Sequence, residues 1–105
     1  MYEENIKNFL SEQLERTRDC KKNYLQRMSE LLHGHLYVRT IQNKEYLYCS
    51  FKIKRKTKTM YVGKNTEENK EKFISENIRY NRLKNSVKEL KDQERKLEKA
   101  IKLFL

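Results

Sequence analysis

Apolar side chains recur every three or four residues along both ends of the chain. In residues 1–33 the recurring positions are Ile6, Leu10, Leu14, Thr17, Tyr24, Met28 and Leu31. This spacing places them on one side of an α-helix, so we predict an amphipathic helix there. Gly34 follows directly and suits the left-handed residue that ends many helices. Lys21 interrupts the stripe, and we expect a kink or an exposed stretch at that point.

The C-terminal stripe is longer and more regular. Within residues 65–105 its positions are Phe73, Glu76, Tyr80, Leu83, Val87, Leu90, Glu94, Leu97, Ile101 and Phe104. They predict a second helix, capped at its start by Asn65 or Thr66. At ~1.5 Å per residue such a helix measures about 55–60 Å, more than a compact domain of this size covers. We therefore expect the helices to form an antiparallel hairpin, and both a monomer and a homodimer paired through the C-terminal helix are compatible with the pattern.

Between the helices the period changes to two, which is typical of β-strands. Residues 36–41, 45–53 and 57–63 predict a three-stranded antiparallel meander, with turns at 43–44 and 54–56. Because side chains alternate between the faces of a strand, one face becomes the core. Its members are Leu36, Val38, Leu47, Cys49, Phe51, Ile53, Met60 and Val62. We expect Phe51 and Val62 to be buried.

The opposite face of the predicted sheet, called here the tyrosine face, is polar and aromatic. It consists of Tyr37, Arg39, Tyr46, Tyr48, Ser50, Lys52, Thr57, Thr59 and Tyr61. Four of the seven tyrosines of the chain lie on it. We expect Tyr48 and Tyr61 to stay exposed, and the basic run after Lys52 to form a corner beside this face.

These elements define an α+β fold: a long N-terminal helix, a three-stranded antiparallel meander and a long C-terminal helix. At 105 residues the chain is expected to be one domain (1–33 helix, 34–64 basic sheet, 65–105 helix). It shows no apolar leader and no run near the ~18 apolar residues of a membrane span, so we expect a cytoplasmic protein of a bacterial host cell. Cys20 and Cys49 would stay reduced there, and Cys49 suits a small core position.

Charge is concentrated in the middle of the chain. The net charge is +10, and residues 33–64 contain eight bases and one acid, Glu45, for a local charge of +7. Residues 1–32 are neutral and residues 65–105 have a charge of +3. The excess of bases therefore belongs to the predicted sheet.

Bases that alternate with aromatic rings suit nucleic acid, because Lys and Arg neutralise phosphates while rings stack on bases or pack on sugars. The expected phosphate contacts are Lys52, Lys54, Arg55, Lys56, Lys58 and Lys64, and the expected sugar and base contacts are Tyr37, Arg39, Tyr46, Tyr48 and Tyr61. Two alternatives stay open. The face is either a solvated surface with cross-strand tyrosine pairs and protective lysines, or a site for an acidic patch on a protein.

Catalytic motifs are not found in the sequence. No nucleophile stands with a base, no glycine-rich loop could hold phosphates, and no carboxylates are grouped for metal-assisted hydrolysis. His33 and His35 fall short of a tetrahedral metal set. We therefore expect a protein that is not an enzyme and has neither a metal nor a cofactor.

Three motifs resemble those of a group of short proteins from low-GC Gram-positive bacteria and their phages and mobile elements. They are Gly34-x-Leu36, Tyr46-x-Tyr48 and Lys58-x-x-Tyr61-Val62-Gly63-Lys64, flanked by charged helices. The group has no established activity, so the resemblance implies only a phage or mobile-element origin. The strand-strand-strand-helix order is similar to arm-type DNA-binding domains of phage integrases. The size and charge are similar to those of phage anti-CRISPR proteins, which implies a nucleoprotein effector as an alternative partner.

Overall fold

The structure, a computed structural model, describes residues 2–104 and confirms the predicted α+β fold. The elements are α1 (Tyr2–Ser29), β1 (His35–Ile41), β2 (Lys44–Ile53), β3 (Lys56–Lys64) and α2 (Glu67–Lys102). The strands form one antiparallel sheet in the order β1-β2-β3. Thr66 caps α2, since its hydroxyl oxygen accepts a hydrogen bond from the Asn69 amide at 3.2 Å. No helix in the described part of the chain is long and apolar enough to cross a membrane.

The first helix ends at Ser29 rather than at residue 33, and Gly34 is not its terminating glycine. The chain leaves the helix early because Leu32 is needed in the core of the sheet, where it is buried. Its amide donates to Glu76 Oε1 at 3.1 Å. Gly34 instead begins the path into β1 with a φ of 99°, and a Cβ there would lie 2.2 Å from the carbonyl oxygen of Ser50. Only glycine fits this close approach.

The chain forms two compact units. Residues 30–82 form the first, and its core contains Leu32, Leu47, Cys49, Val62 and Phe73, with Leu36 and Met60 partly buried against them. The predicted core face is thus confirmed at its centre, where Leu47 and Cys49 are almost fully enclosed. The assignment was wrong at its margins. Val38 on the outer strand is 48% exposed, and Ile53 at the end of β2 is 43% exposed.

Phe51 is half-buried rather than fully buried, and it packs on an aromatic stack. The ring of His33 lies 4.0 Å from that of Phe51 and 3.7 Å from that of Tyr80, with which it is parallel to within 2°. His33 therefore works as a packing residue between the sheet and the first part of α2. Tyr80 was predicted on the apolar stripe, and this stack explains its place there.

The second unit contains α1 and the part of α2 from Leu83 onward. Leu14, Thr17, Met28 and Val87 are buried in it, as the two stripes predict. α1 is continuous through Lys21, so the helix is not interrupted where its stripe is. Lys21 is half-buried, and its Nζ lies 2.5 Å from Glu94 Oε2. Glu94 is a polar residue within the apolar stripe of α2.

Arg18 extends this polar layer. Its guanidinium donates to Glu94 Oε1 at 3.2 Å and to Glu98 Oε1 at 2.9 Å. Lys21 contacts Glu94, and Arg18, which precedes Lys21 in α1, also contacts Glu98, which follows Glu94 in α2. This opposite order of partners is typical of two antiparallel helices. Hydrogen bonds from Lys21 and then from Arg18 hold the pKa of the Glu94 carboxyl below its ordinary value.

Glu94→Gln is expected to lower the stability of the protein at neutral pH and to have no such effect in acid. A carboxyl whose folded-state pKa is depressed stabilises the fold above its unfolded-state pKa, and this contribution is lost as the pH falls through the folded-state value. Urea denaturation midpoints of both proteins, measured from about pH 7 down to about pH 2, should therefore converge. Glu98→Gln is the control, because Glu98 is more exposed and accepts one bond from Arg18. A difference in midpoint between the wild type and Glu94→Gln that is independent of pH would contradict a stabilising role of the Glu94 carboxylate.

Candidate nucleic-acid interface

Strand register brings the tyrosines of the tyrosine face together. Tyr37 pairs with Tyr48 across β1 and β2, and Tyr48 pairs with Tyr61 across β2 and β3. The ring centroids of Tyr37 and Tyr48 are 6.0 Å apart, and those of Tyr48 and Tyr61 are 5.4 Å apart in an edge-to-face arrangement. Tyr46 joins at 6.3 Å from Tyr61. The four rings form one cluster, called here the tyrosine cluster.

The tyrosine cluster is open to solvent. Tyr61 is 55% exposed, as expected. The prediction was wrong for Tyr48, which is half-buried because the rings of Tyr37 and Tyr61 lie on either side of it. Arg39 places its guanidinium carbon 5.7 Å from the centre of the Tyr48 ring, a cation–π contact. Ile41, Tyr46, Tyr48 and Tyr61 line a shallow depression of about 340 Å³. The site is therefore a concave aromatic surface beside a fixed cation.

A β-bulge in β3 brings Lys64 onto the same face. Leu47 pairs with Gly63 and Tyr48 with Tyr61, so Val62 is the extra residue. Past the bulge, Lys64 lies opposite Tyr46, a member of the tyrosine cluster. Simple alternation along β3 would have placed Lys64 on the core face with Met60 and Val62. Lys64, which was predicted to contact phosphate, thus lies beside the tyrosine cluster.

Lys44 is a residue of this face that the sequence analysis missed. It pairs with Ile41 and precedes Tyr46 by two residues, so both lie on one side of the sheet. The alternation outward from Tyr46 was the signal that could have found it. Lys52 lies on this side by the same rule. The bases of the tyrosine face are therefore Arg39, Lys44, Lys52 and Lys64.

No acid lies on the tyrosine face. Glu45, the only acid of the sheet, falls on the opposite side, where it pairs with Thr40. Its carboxylate accepts a hydrogen bond from the Asn65 amide nitrogen at 2.7 Å. Within residues 2–104, no base of the three strands or of their turns forms an ion pair. Among these residues, no carboxylate neutralises the positive charge of the face.

The basic run from Lys52 to Lys58 forms the hairpin between β2 and β3, and its bases point to both sides. Lys58 pairs with Phe51 and Lys56 with Ile53, which places both lysines on the side of the core face. Lys52 lies on the tyrosine face, and Lys54 and Arg55 form the turn. The basic run is therefore a strand-turn-strand corner, as predicted, in which Lys52 lies on the tyrosine face and Lys56 and Lys58 lie on the opposite side.

Both hairpin turns have two residues in the left-handed region. φ is 48° at Lys54 and 70° at Arg55, and it is 51° at Gln42 and 66° at Asn43. Positive φ at both central residues defines the type I′ turn, which usually contains Asn-Gly. Left-handed backbone costs a residue other than glycine about 1–2 kcal/mol. Two long basic side chains thus occupy the tip of the hairpin in spite of backbone strain.

Neither cysteine belongs to the tyrosine face. Cys20 and Cys49 are both free, and burial raises the pKa of the Cys49 thiol. Among residues 2–104, no three His, Cys, Asp or Glu side chains are grouped so that they could hold a metal ion. Comparison of the chain with protein-family models, curated proteins and solved structures gives no match.

Proposed function

We propose that this protein binds nucleic acid without catalysis, through the tyrosine face and the hairpin between β2 and β3, in a phage or mobile-element setting within a bacterial host cell. One observation supports this more than any other. Four tyrosine rings and four bases share one face of the sheet, and no acid lies among them. A purely solvated surface gives no reason for this separation of charge, because mixed signs keep a surface soluble equally well.

The roles of the side chains follow from their chemistry. Lys44, Lys52 and Lys64 surround the tyrosine cluster and would neutralise phosphates as a backbone crosses the sheet. Rings in the cluster would pack on sugars or stack on exposed bases. Arg39 already lies against Tyr48, so little side-chain entropy is lost when it meets a ligand. These contacts are independent of sequence, and we expect affinity without strong base preference.

Affinity should fall steeply with salt. If four to six phosphates are neutralised, the logarithm of the association constant should change with the logarithm of salt concentration with a slope of roughly −3 to −5. Fluorescence anisotropy with labelled DNA and RNA oligomers, at several salt concentrations, measures this slope. Absence of binding to either polymer at low salt would show that the proposed function is wrong.

Tyr48→Ala separates the contribution of the rings from that of the charges within the same titration. It should cost about 1–3 kcal/mol where bases stack, and it should leave the salt slope nearly unchanged because no charge is lost. Tyr24→Ala is a matched control, since Tyr24 lies on α1, in the unit without the sheet, and its ring contacts Arg27.

A protein-directed inhibitor is the second candidate, and one observation favours it. Ile74 and Ile78 are 53% and 47% exposed one turn apart on α2, beside Arg79 and Arg82. Such a patch suits docking to a protein with acidic groups, for example a nuclease effector inhibited in the manner of an anti-CRISPR protein. Ile74→Glu with Ile78→Glu would abolish this inhibition and leave binding of naked nucleic acid unchanged.

A further inference from the structure

The hairpin between β2 and β3 extends beyond the end of β1, the remaining strand of the sheet. β1 begins at His35, which pairs with Ser50, so the residue pairs from Phe51–Lys58 to Ile53–Lys56 have no neighbouring strand. Residues 51–58, called here the basic ribbon, are a two-stranded projection closed by the strained Lys54–Arg55 turn. Residues 52–58 are exposed. Apart from Phe51, which packs against His33, the basic ribbon therefore presents both of its faces to solvent.

The bases of the ribbon are divided between its two faces and its tip. Lys52 lies on the tyrosine side, Lys56 and Lys58 lie on the opposite side, and Lys54 and Arg55 occupy the turn. A single strand that follows the tyrosine face would reach Lys52 and the tip but not the opposite lysines. A groove presents phosphates on two walls, so bases on two faces can all be used.

The dimensions of the ribbon match one particular groove. Strands lie about 4.8 Å apart and rise about 3.3 Å per residue, so three residue pairs and a turn reach about 10 Å. The major groove of B-DNA is about 12 Å wide and about 8.5 Å deep, and it accepts a two-stranded ribbon. The major groove of an RNA duplex is deep and too narrow for side chains to read.

We infer that the basic ribbon inserts into the major groove of duplex DNA, with Lys52 facing the phosphates of one wall and Lys56 and Lys58 facing those of the other. The inference rests on the proposed function and specifies its ligand. The strained tip supports it independently. Lys54 and Arg55 hold left-handed conformations that Asn-Gly would adopt without strain, so the tip of the ribbon keeps two cations at a conformational cost.

The test compares three ligands of one sequence at ~0.1 M salt: a DNA duplex of about two helical turns, one of its strands alone, and the matching RNA duplex. The DNA duplex should bind at least about tenfold more tightly than either of the others. Lys52→Ala and Lys58→Ala should each weaken duplex binding by about eightfold, the value of one phosphate contact at this salt concentration. Thermal melts of both variants should match that of the wild type, because the side chains are exposed.

Groove choice is tested with two competitors of known preference. Methyl green, which occupies the major groove, should displace the protein, whereas netropsin, which occupies the minor groove, should not. A preference for the single strand or for the RNA duplex, an unchanged affinity in Lys58→Ala, or competition by netropsin alone would overturn the inference and leave the proposed function standing. Absence of binding to all three ligands would remove both.

Discussion

Replacing Lys54 and Lys56 by glutamate is expected to lower the affinity for DNA of every sequence by at least about 50-fold at ~0.1 M salt. Each neutralised phosphate adds about 0.9 to the salt slope and about eightfold to the affinity at this concentration, so two lost contacts multiply to about this value. The new carboxylates add repulsion. Anisotropy titrations against oligomers of several sequences measure the loss, which should be uniform because phosphates hold no sequence information.

The matched control for this variant is Lys84→Glu with Lys96→Glu. It changes the net charge by the same amount, but both lysines are exposed on α2, in the unit without the sheet. We expect it to weaken binding only slightly, because neither lysine belongs to the tyrosine face or to the basic ribbon. Equal losses in the two variants would show that net charge alone determines affinity. The basic ribbon would then have no special role.

Leu47→Ala is expected to cost about 2–5 kcal/mol of unfolding free energy, a large part of the stability of a small domain. Leu47 is 1% exposed and packs with Cys49, Val62 and Phe73, so its removal leaves a cavity under the tyrosine face. Urea denaturation followed by circular dichroism measures the cost. Nucleic-acid affinity of the variant should fall in parallel, since the sheet positions the tyrosines.

Val38→Ala is the matched control for this second variant. Sequence alternation assigns Val38 and Leu47 to the same face, and the two residues pair across β1 and β2. Because Val38 is 48% exposed, its truncation should cost less than about 1 kcal/mol. Comparable losses at the two positions would mean that the outer strand is covered as fully as the central one.

Periodicity alone predicted the order of elements and the two faces of the sheet, because burial requires one side of each helix and strand to be apolar. It could not interpret Lys21 and Glu94. Each is a polar residue within an apolar stripe, and neither can be explained from its own helix alone. Their positions make sense only when the two helices are paired. Their ion pair shows that a polar residue at a core position can be satisfied by a partner distant in sequence.

The net charge of the sheet could be predicted by counting residues, but the face on which each base lies could not. The bulge at Val62 shifts Lys64 to the tyrosine face, and alternation alone does not predict it. Gly63, beside the extra residue in β3, was a local signal, because an isolated glycine within a strand often marks a bulge. The two-residue turn at Lys54 and Arg55 also lacks the usual Asn-Gly signal. Turn length fixes the register, and register decides which lysines share a face with the tyrosines.

The location of Cys49 makes the native protein its own reporter of local opening. This thiol is fully enclosed in the sheet unit, whereas Cys20 is half-buried in the helical unit. A thiol without access to solvent reacts with a maleimide only during transient unfolding, so its labelling rate measures the free energy of that opening. Cys49 therefore reports the opening of the sheet unit, and the partly accessible Cys20 is an internal reference in the same mass-spectrometric experiment on the unmodified chain. A ligand held by the sheet would slow labelling at Cys49 and leave the rate at Cys20 as it was.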